Sequence, residues 1–459
     1  MQKRVVIFML VVALAVAVPF VAANQAPADE AMPMAQTAPE PFSWLTECEE
    51  DLSGQEITFY HFGDLSGPYA FITQPLIAGL GDAAQLLNDN GGLCGATVGQ
   101  EFRDTGGNTD QTQAFWDEFS ALDGAYAIFL YASADAELLR NQAADAEIPL
   151  LVAAGSELAF YGEDGQSPGY AYGIIPLYTD QLGAFCDYVS ANWDEMGIEG
   201  DPVIGHLSWE GAFGRSSDTE GARAYCEAAG VGYAGAEYFL PGTPDISTQM
   251  QGLVDEGANI IYTTSLASGP AQVAGTASAL GLNDSVILAG SNWALDTSVI
   301  GLGGEATDGM MGSLPFLWWD EVQEPGVQIV LNYWAQNRLA EDPEAAVQVR
   351  NIAYITSFGA VDLWAEAMIR SINEVGFENM SGAALQETMT NLDYDAFLGM
   401  IRADFTDGAR ATQETRIASI QFIEGDEGVT PSVVPVDDEV FGDWFIAPDL
   451  KLGGEDVPE

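Results

Sequence analysis

From Ile57 onward, short apolar runs of β-forming residues alternate with longer stretches of helical period. The runs are Ile57–Phe62, Ala125–Tyr131, Pro149–Val152, Val203–Leu207, Ile260–Thr264 and Val286–Leu288. The helical stretches are Pro75–Asn88, Thr112–Leu122, Ala134–Ala146, Thr179–Met196, Thr219–Ala229, Ser247–Glu256 and Pro270–Leu280. A strand buried on both faces reads as a continuous apolar run, so "AYAIFLY" and "NIIYTT" predict parallel sheets covered by helices on both sides. The alternation falls into two blocks, before and after Gly173–Tyr178. The expected fold is therefore α/β, with parallel sheets flanked by helices in two similar lobes, joined by several crossings and leaving a cleft between them. Asn351–Ile372 reads as a long amphipathic helix, and Phe397–Arg402 and Thr415–Phe422 as further strands. Residues 424–459, acidic and rich in Pro and Gly, read as peripheral. The domain reading is lobe 1 at 55–173 with about 310–396, lobe 2 at 174–309 with about 397–450, and a tail at 451–459.

In open parallel sheets, ligands bind beyond the carboxyl ends of the strands. Six strands here end in small or hydroxyl-bearing loops: Leu65–Ala70, Tyr131–Glu137, Ala153–Ala159, Ser208–Gly214, Thr263–Gly269 and Ala289–Leu295. Each offers helix-start amides, a hydroxyl or an aromatic ring. Singly, each is an ordinary helix cap. Jointly they describe a binding cleft without proton-transfer machinery.

The first of these turns, "GDLSGPYAF", excludes a phosphate loop, having neither GxxxxGK[ST] nor GxGxxG and no lysine. The one GxSxG match, "GQSPG" at Gly165–Gly169, follows "YGED" rather than an apolar run and carries Pro after its Ser, so it does not read as a strand-to-helix elbow. His61 and His206 sit on apolar strands and read as packed residues rather than bases. Carboxylates are too abundant for any pair to stand out as glycosidic.

Charge limits the partners. Asp and Glu total 69 against 13 Lys and Arg, a net charge of −56. Such a surface repels nucleic acid and anionic headgroups. A saline or acidic exterior would relieve its self-repulsion, and a plain acidic secreted protein is the alternative. Lys3 and Arg4 precede the uncharged apolar run Val5–Ala23, an export signal or, from its length, an uncleaved anchor. Residues 24–54 read as a tether and lead-in. The expected location is periplasmic or extracellular. Four cysteines fit an oxidising compartment. They permit three pairings. Cys48 with Cys94 and Cys186 with Cys226 is the favoured one, and buried free thiols are the alternative.

The stretches "ITFYHFGDLSGPYAF", "GLGDAAQLLNDNGGLCG", "FRDTGGNTDQ" and "YASADAELLRNQAADAEIPLLVAAGS" resemble the leucine/isoleucine/valine-binding family of transporter solute receptors. The second-lobe stretch "GARAYCEAAGVGYAGAEYFLPGTPDISTQMQGLVDEGANIIYTTS" follows the same family rhythm, and the resemblance covers Gln55 to Phe422. It implies a type I periplasmic-binding fold, two Rossmann-like lobes hinged around a central cleft with three crossings between them, a ligand trapped by hinge closure, no cofactor, a monomer, and an ABC-type permease as partner. By the same resemblance, Ser133 holds a ligand carboxylate with nearby amides, Gly155 and Ser156 form a second loop on it, and Ser66 lies at the entrance. Phe213 and Leu266 fall where the family presents tyrosines, and Trp293 joins Trp209 and Phe213 in an apolar wall. Asn292 stands where amino-acid binders carry a Glu for the ligand ammonium. An unpaired buried ammonium costs on the order of several kcal/mol. Either Glu210 or Asp180 replaces the Glu, or the ligand is an amide, a urea-like solute or a small acid. The leading function is capture of a small polar solute, a branched-chain amino acid or a related amide or acid. A ligand sensor for a membrane signalling protein is the first alternative, and an extracellular hydrolase the second.

Overall fold

A computed structural model describes residues 44–458 apart from 154, 426 and 427. The signal or anchor and most of the tether lie outside the described residues.

The first sheet contains β1 (Glu56–Gly63), β2 (Thr97–Asp104), β3 (Ile128–Leu130), β4 (Leu150–Val152) and β5 (Ala171–Gly173). Its order is β2-β1-β3-β4-β5, with every pair parallel. Between the strands run α1 (Ala70–Asp89), α2 (Thr109–Phe119), α3 (Ser133–Ala146) and α4 (Glu157–Tyr161). The central strands β3 and β4 are buried at every residue, which is why their sequence is uniformly apolar. The edge strand β2, "TVGQEFRD", is half covered and mixes polar with apolar residues. It escapes a reading that looks for apolar runs.

The second lobe opens with α5 (Tyr178–Asn192), followed by β6 (Val203–Trp209), α6 (Ala212–Arg215), α7 (Glu220–Ala228), β7 (Gly232–Phe239), α8 (Ser247–Asp255), β8 (Ile260–Thr263), α9 (Ser268–Leu280), β9 (Ile287–Gly290), α10 (Thr297–Gly303) and β10 (Met311–Ser313). β6 to β10 form a parallel array, β10-β9-β8-β6-β7.

The chain then returns to the first lobe. There α11 (Pro325–Trp334), α12 (Pro343–Val349), α13 (Ile352–Val375) and α14 (Gly382–Thr390) are followed by the hairpin β11 (Asp393–Asp395) with β12 (Ile401–Asp404). α13 lies along α1, and its Trp364 packs edge-on against Phe59 of β1 and Phe129 of β3, at 5.4 and 6.5 Å. Gly79 permits that approach, since a Cβ there would lie 2.6 Å from the Tyr354 carbonyl oxygen. Asp82 of α1 binds Arg338 at 2.5 Å and accepts from the Tyr354 hydroxyl, locking the two helices. α13 is long and apolar enough to cross a membrane, but its apolar window is wholly buried in the protein core.

The final crossing leads to β13 (Glu414–Thr415), β14 (Ile417–Gly425), β15 (Gly428–Pro435) and β16 (Phe445–Ile446). β14 joins β10 antiparallel, β15 joins β14 antiparallel, and β13 pairs with β16. Two expectations are corrected here. Phe397–Arg402 is not one strand: Phe397 and Leu398 are left-handed, at φ 49° and 58°, and β12 starts only at Ile401. Asp362, buried in α13, accepts from the Phe397 N–H at 2.5 Å at this kink. The segment after 424 is not merely peripheral. β15 completes the second sheet, and Leu450 is buried with its N–H donating to Asp180 at 2.9 Å. β15 is an edge strand exposed along its first half, so no apolar run announces it.

Each lobe carries one disulfide. Cys48–Cys94 ties the lead-in to the loop after α1, and Cys186–Cys226 joins α5 to α7.

Candidate functional site

The strand tips of the two sheets face each other across a cavity of about 190 Å³. On the first lobe, β1 stops at Gly63 and Asp64 folds the next turn around itself. Its Oδ1 accepts from the Gly67 N–H at 2.5 Å and its Oδ2 from the Tyr69 N–H at 3.0 Å. Asp104, at the end of β2, accepts from the N–H groups of Leu65, Ser66 and Gly106. The amides of the small-residue turn are thus spent on the protein's own carboxylates, so this turn is no anion cradle.

The next tip supplies the polar wall. After β3 come Tyr131, Ala132 and then Ser133, the first residue of α3. Gly63 makes room for Tyr131, because a Cβ there would lie 2.2 Å from its ring. His61 Nδ1 and the Tyr131 hydroxyl bond to each other, fixing the ring. Burial pushes His61 down to about 3, so it is neutral at pH 7. Ser133 is 1% exposed and its hydroxyl has no protein partner. The hydroxyl of Thr73 on α1, also 1% exposed, has none either. Asp135 takes one bond, from the Thr112 hydroxyl at 2.7 Å. Burial pushes its carboxyl above the usual carboxylate range, and the charge of Asp64 adds to that rise.

The second lobe answers with rings. Glu210 to Phe213 follow β6, Leu266 follows β8 and Trp293 follows β9, and all reach the cavity. Trp293 Nε1 donates to the Tyr178 hydroxyl at 2.8 Å, and Tyr178 meets Phe213 edge-on at 5.2 Å. Trp209 touches Tyr69 of the first lobe at 5.9 Å, so the lobes are in contact across the cleft.

Of the residues singled out by sequence, Ser133, Phe213, Leu266 and Trp293 line the cavity. Four others do not. Ser66 is exposed beside the turn that Asp104 holds. Gly155 lies under the Phe160 ring, which a Cβ would meet at 2.0 Å, and the Ser156 hydroxyl is taken by Glu137. Asn292 is fully buried, its N–H donating to Gln181 Oε1 at 2.8 Å. Of the two acids weighed as substitutes for the family Glu, Glu210 lines the cavity, whereas Asp180 is committed to Leu450. Sequence reasoning missed Asp64, Tyr69, Thr73, Tyr131 and Asp135 as wall residues. Asp135 was in view within "YASADAE", but an acid in the first turn of a helix reads as a partner of the helix dipole.

His206 Nε2 pairs with the buried Ser217 hydroxyl at 2.8 Å, away from the cavity, and burial lowers it to about 4. Among the described residues, no group of three or more His, Cys, Asp or Glu is placed to hold a metal.

Two α/β lobes, crossed three times by the chain and enclosing a cavity between their strand tips, define a cleft-type solute binder. The periplasmic binding protein family model matches residues 56–427. The chain therefore belongs to that family of non-enzymatic, extracytoplasmic solute-binding proteins, with which its two disulfides agree. A search of curated proteins finds no match. Solved structures share the fold at low identity. A branched-chain amino acid ABC transporter protein from Thermus thermophilus with bound valine matches at TM-score 0.70 and 18% identity, over 84% of this chain and 98% of that one. A solute-binding protein from R. palustris in complex with 4-hydroxybenzoate matches at 0.66 and 16%, over 86% and 98%. A fatty acid ABC transporter substrate-binding protein from Thermomonospora curvata matches at 0.65 and 15%, over 86% and 95%.

Proposed function

We propose that the chain is the substrate-binding component of an ABC-type importer, capturing one small solute between its lobes and presenting it to a permease. The observation that carries this reading is the cavity itself. It is walled by strand tips of both sheets and lined by two buried hydroxyls, Ser133 and Thr73, that no protein group satisfies. Such groups cost about 1–3 kcal/mol each when left unmet, and a bound solute meets them. The similar structures carry valine, 4-hydroxybenzoate or a fatty acid in their descriptions, so ligand chemistry varies widely on this fold. Closure by lobe rotation would exclude water and raise the strength of every polar contact inside.

The test is to extract small molecules from the freshly purified protein by denaturation, identify them by mass spectrometry, and titrate them back calorimetrically. One-to-one binding without turnover supports the reading. Conversion of the molecule into a product would refute it.

A further inference from the structure

The wall contributed by the first lobe holds two carboxylates, Asp64 and Asp135, and Glu210 faces them from the second. Among the described residues, no Lys, Arg or His lines the cavity. Building on the receptor reading, we propose that the cavity selects an organic ammonium ion, seating its cationic head at Asp135 beside Asp64 and Ser133.

Three independent features support this. First, Ser133 Oγ and Thr73 Oγ1 are buried, unpartnered and in the same wall as Asp135, so this wall awaits polar ligand atoms. Second, the Asp135 carboxylate has no cationic neighbour in the wall. Its protein bond is from a neutral hydroxyl, Thr112, and burial together with Asp64 disfavours its charge. A cation brought to it would relieve that penalty, whereas an anion would deepen it. Third, the opposite wall is aromatic and apolar, with Phe213, Leu266 and Trp293, while Tyr69 closes the first-lobe side. Ring faces attract organic cations and reject carboxylates. The charged recognition thus sits on the first lobe. Asn292, on the second, is buried outside the cavity wall and contributes no charge.

The experiment titrates the full chain by calorimetry with two charge series built on constant skeletons. One is isopentylamine, leucine and isohexanoate, and the other is tyramine, tyrosine and hydroxyphenylpropanoate. The expected result is that the amine of at least one series binds about tenfold or more tighter than its matched anion. Asp135→Asn, which can keep the bond from Thr112, should remove that gap, and an unchanged thermal transition would show that the fold is intact. An anion bound as tightly as its amine in every series that binds overturns the proposal. So does an amine preference that survives Asp135→Asn, and so does failure of all six probes to bind. In the first two cases, binding without turnover leaves the receptor reading standing. If all six fail, the molecules recovered from the purified protein decide that reading separately.

Discussion

The two walls of the cavity are built on opposite principles. The first-lobe wall is polar, with Asp64, Thr73, Ser133 and Asp135 around Tyr69 and Tyr131. The second-lobe wall is mostly apolar, with Phe213, Leu266 and Trp293, and Glu210 at its more exposed edge. The difference follows from how each wall is held. On the first lobe, carboxylates organise loops by accepting backbone N–H bonds, so charge lies at the strand tips. On the second, aromatic residues hold one another: Trp293 donates to the Tyr178 hydroxyl, and Tyr178 packs edge-on against Phe213. One lobe recognises polar atoms, and the other supplies shape.

The largest expected effect tests whether the lobes are equivalent as folded units. Each contains one disulfide, with sequence separations of 46 and 40. Loops of that size give about 4 kcal/mol of stabilisation by chain entropy. Replacing either pair by alanine should therefore cost about the same in denaturant unfolding. A loss confined to one pair would show that the lobes depend on their cross-links unequally.

Ligand affinity separates the walls. With the solute recovered from the protein, Ser133→Ala should weaken binding by about 1–3 kcal/mol, the cost of an unmet buried polar group. Phe213→Ala should weaken every solute of a given size similarly, whatever its charge, because it removes apolar contact. If Phe213→Ala alters charge preference instead, the division of labour between walls is wrong.

The smallest effect concerns acidity. Burial of Asp362 on the first lobe raises it to about 6, although Trp44, Phe397 and Tyr394 donate to it. Burial also raises Asp180 and Asp296. A carboxyl whose folded value exceeds its unfolded value of 3.8 holds its proton more tightly in the native state. Its contribution is present at low pH and is lost as pH rises through about 6. Shifting from pH 7 to pH 5 should thus add about 1 kcal/mol through Asp362 alone. Partial neutralisation of the −56 net charge acts in the same direction. Calorimetric melting at the two pH values checks this, and a lower transition at pH 5 contradicts it.

The sequence was most legible where burial was complete. "NIIYTT" and "AYAIFLY" announced β8 and β3 because strands covered on both faces tolerate only apolar residues. β2, β7 and β15 went unread because edge strands meet water and mix residue types. In the site, Ser133 and Trp293 fall in strand-end loops legible from the alternation, but the family resemblance was what singled out Ser133. Asp64 was read only as a reason against phosphate, although it organises the turn and borders the cavity.

By itself, the chain's alternation of apolar runs and helical stretches determined two α/β lobes, because hydrophobic periodicity is a local property written residue by residue. Its cysteines and apolar leader pointed to an oxidising compartment for the same reason, being matters of composition and order. Which side chains meet in the cleft was decided only in three dimensions. Asp135 and Trp293 are far apart along the chain and line one cavity, from opposite walls, only because two sheets bring their strand tips together. Asn292, next to Trp293 in the chain, is buried yet stays out of the cavity lining that Trp293 joins. Spacing in sequence carries no record of that choice, since the packing of distant elements makes it.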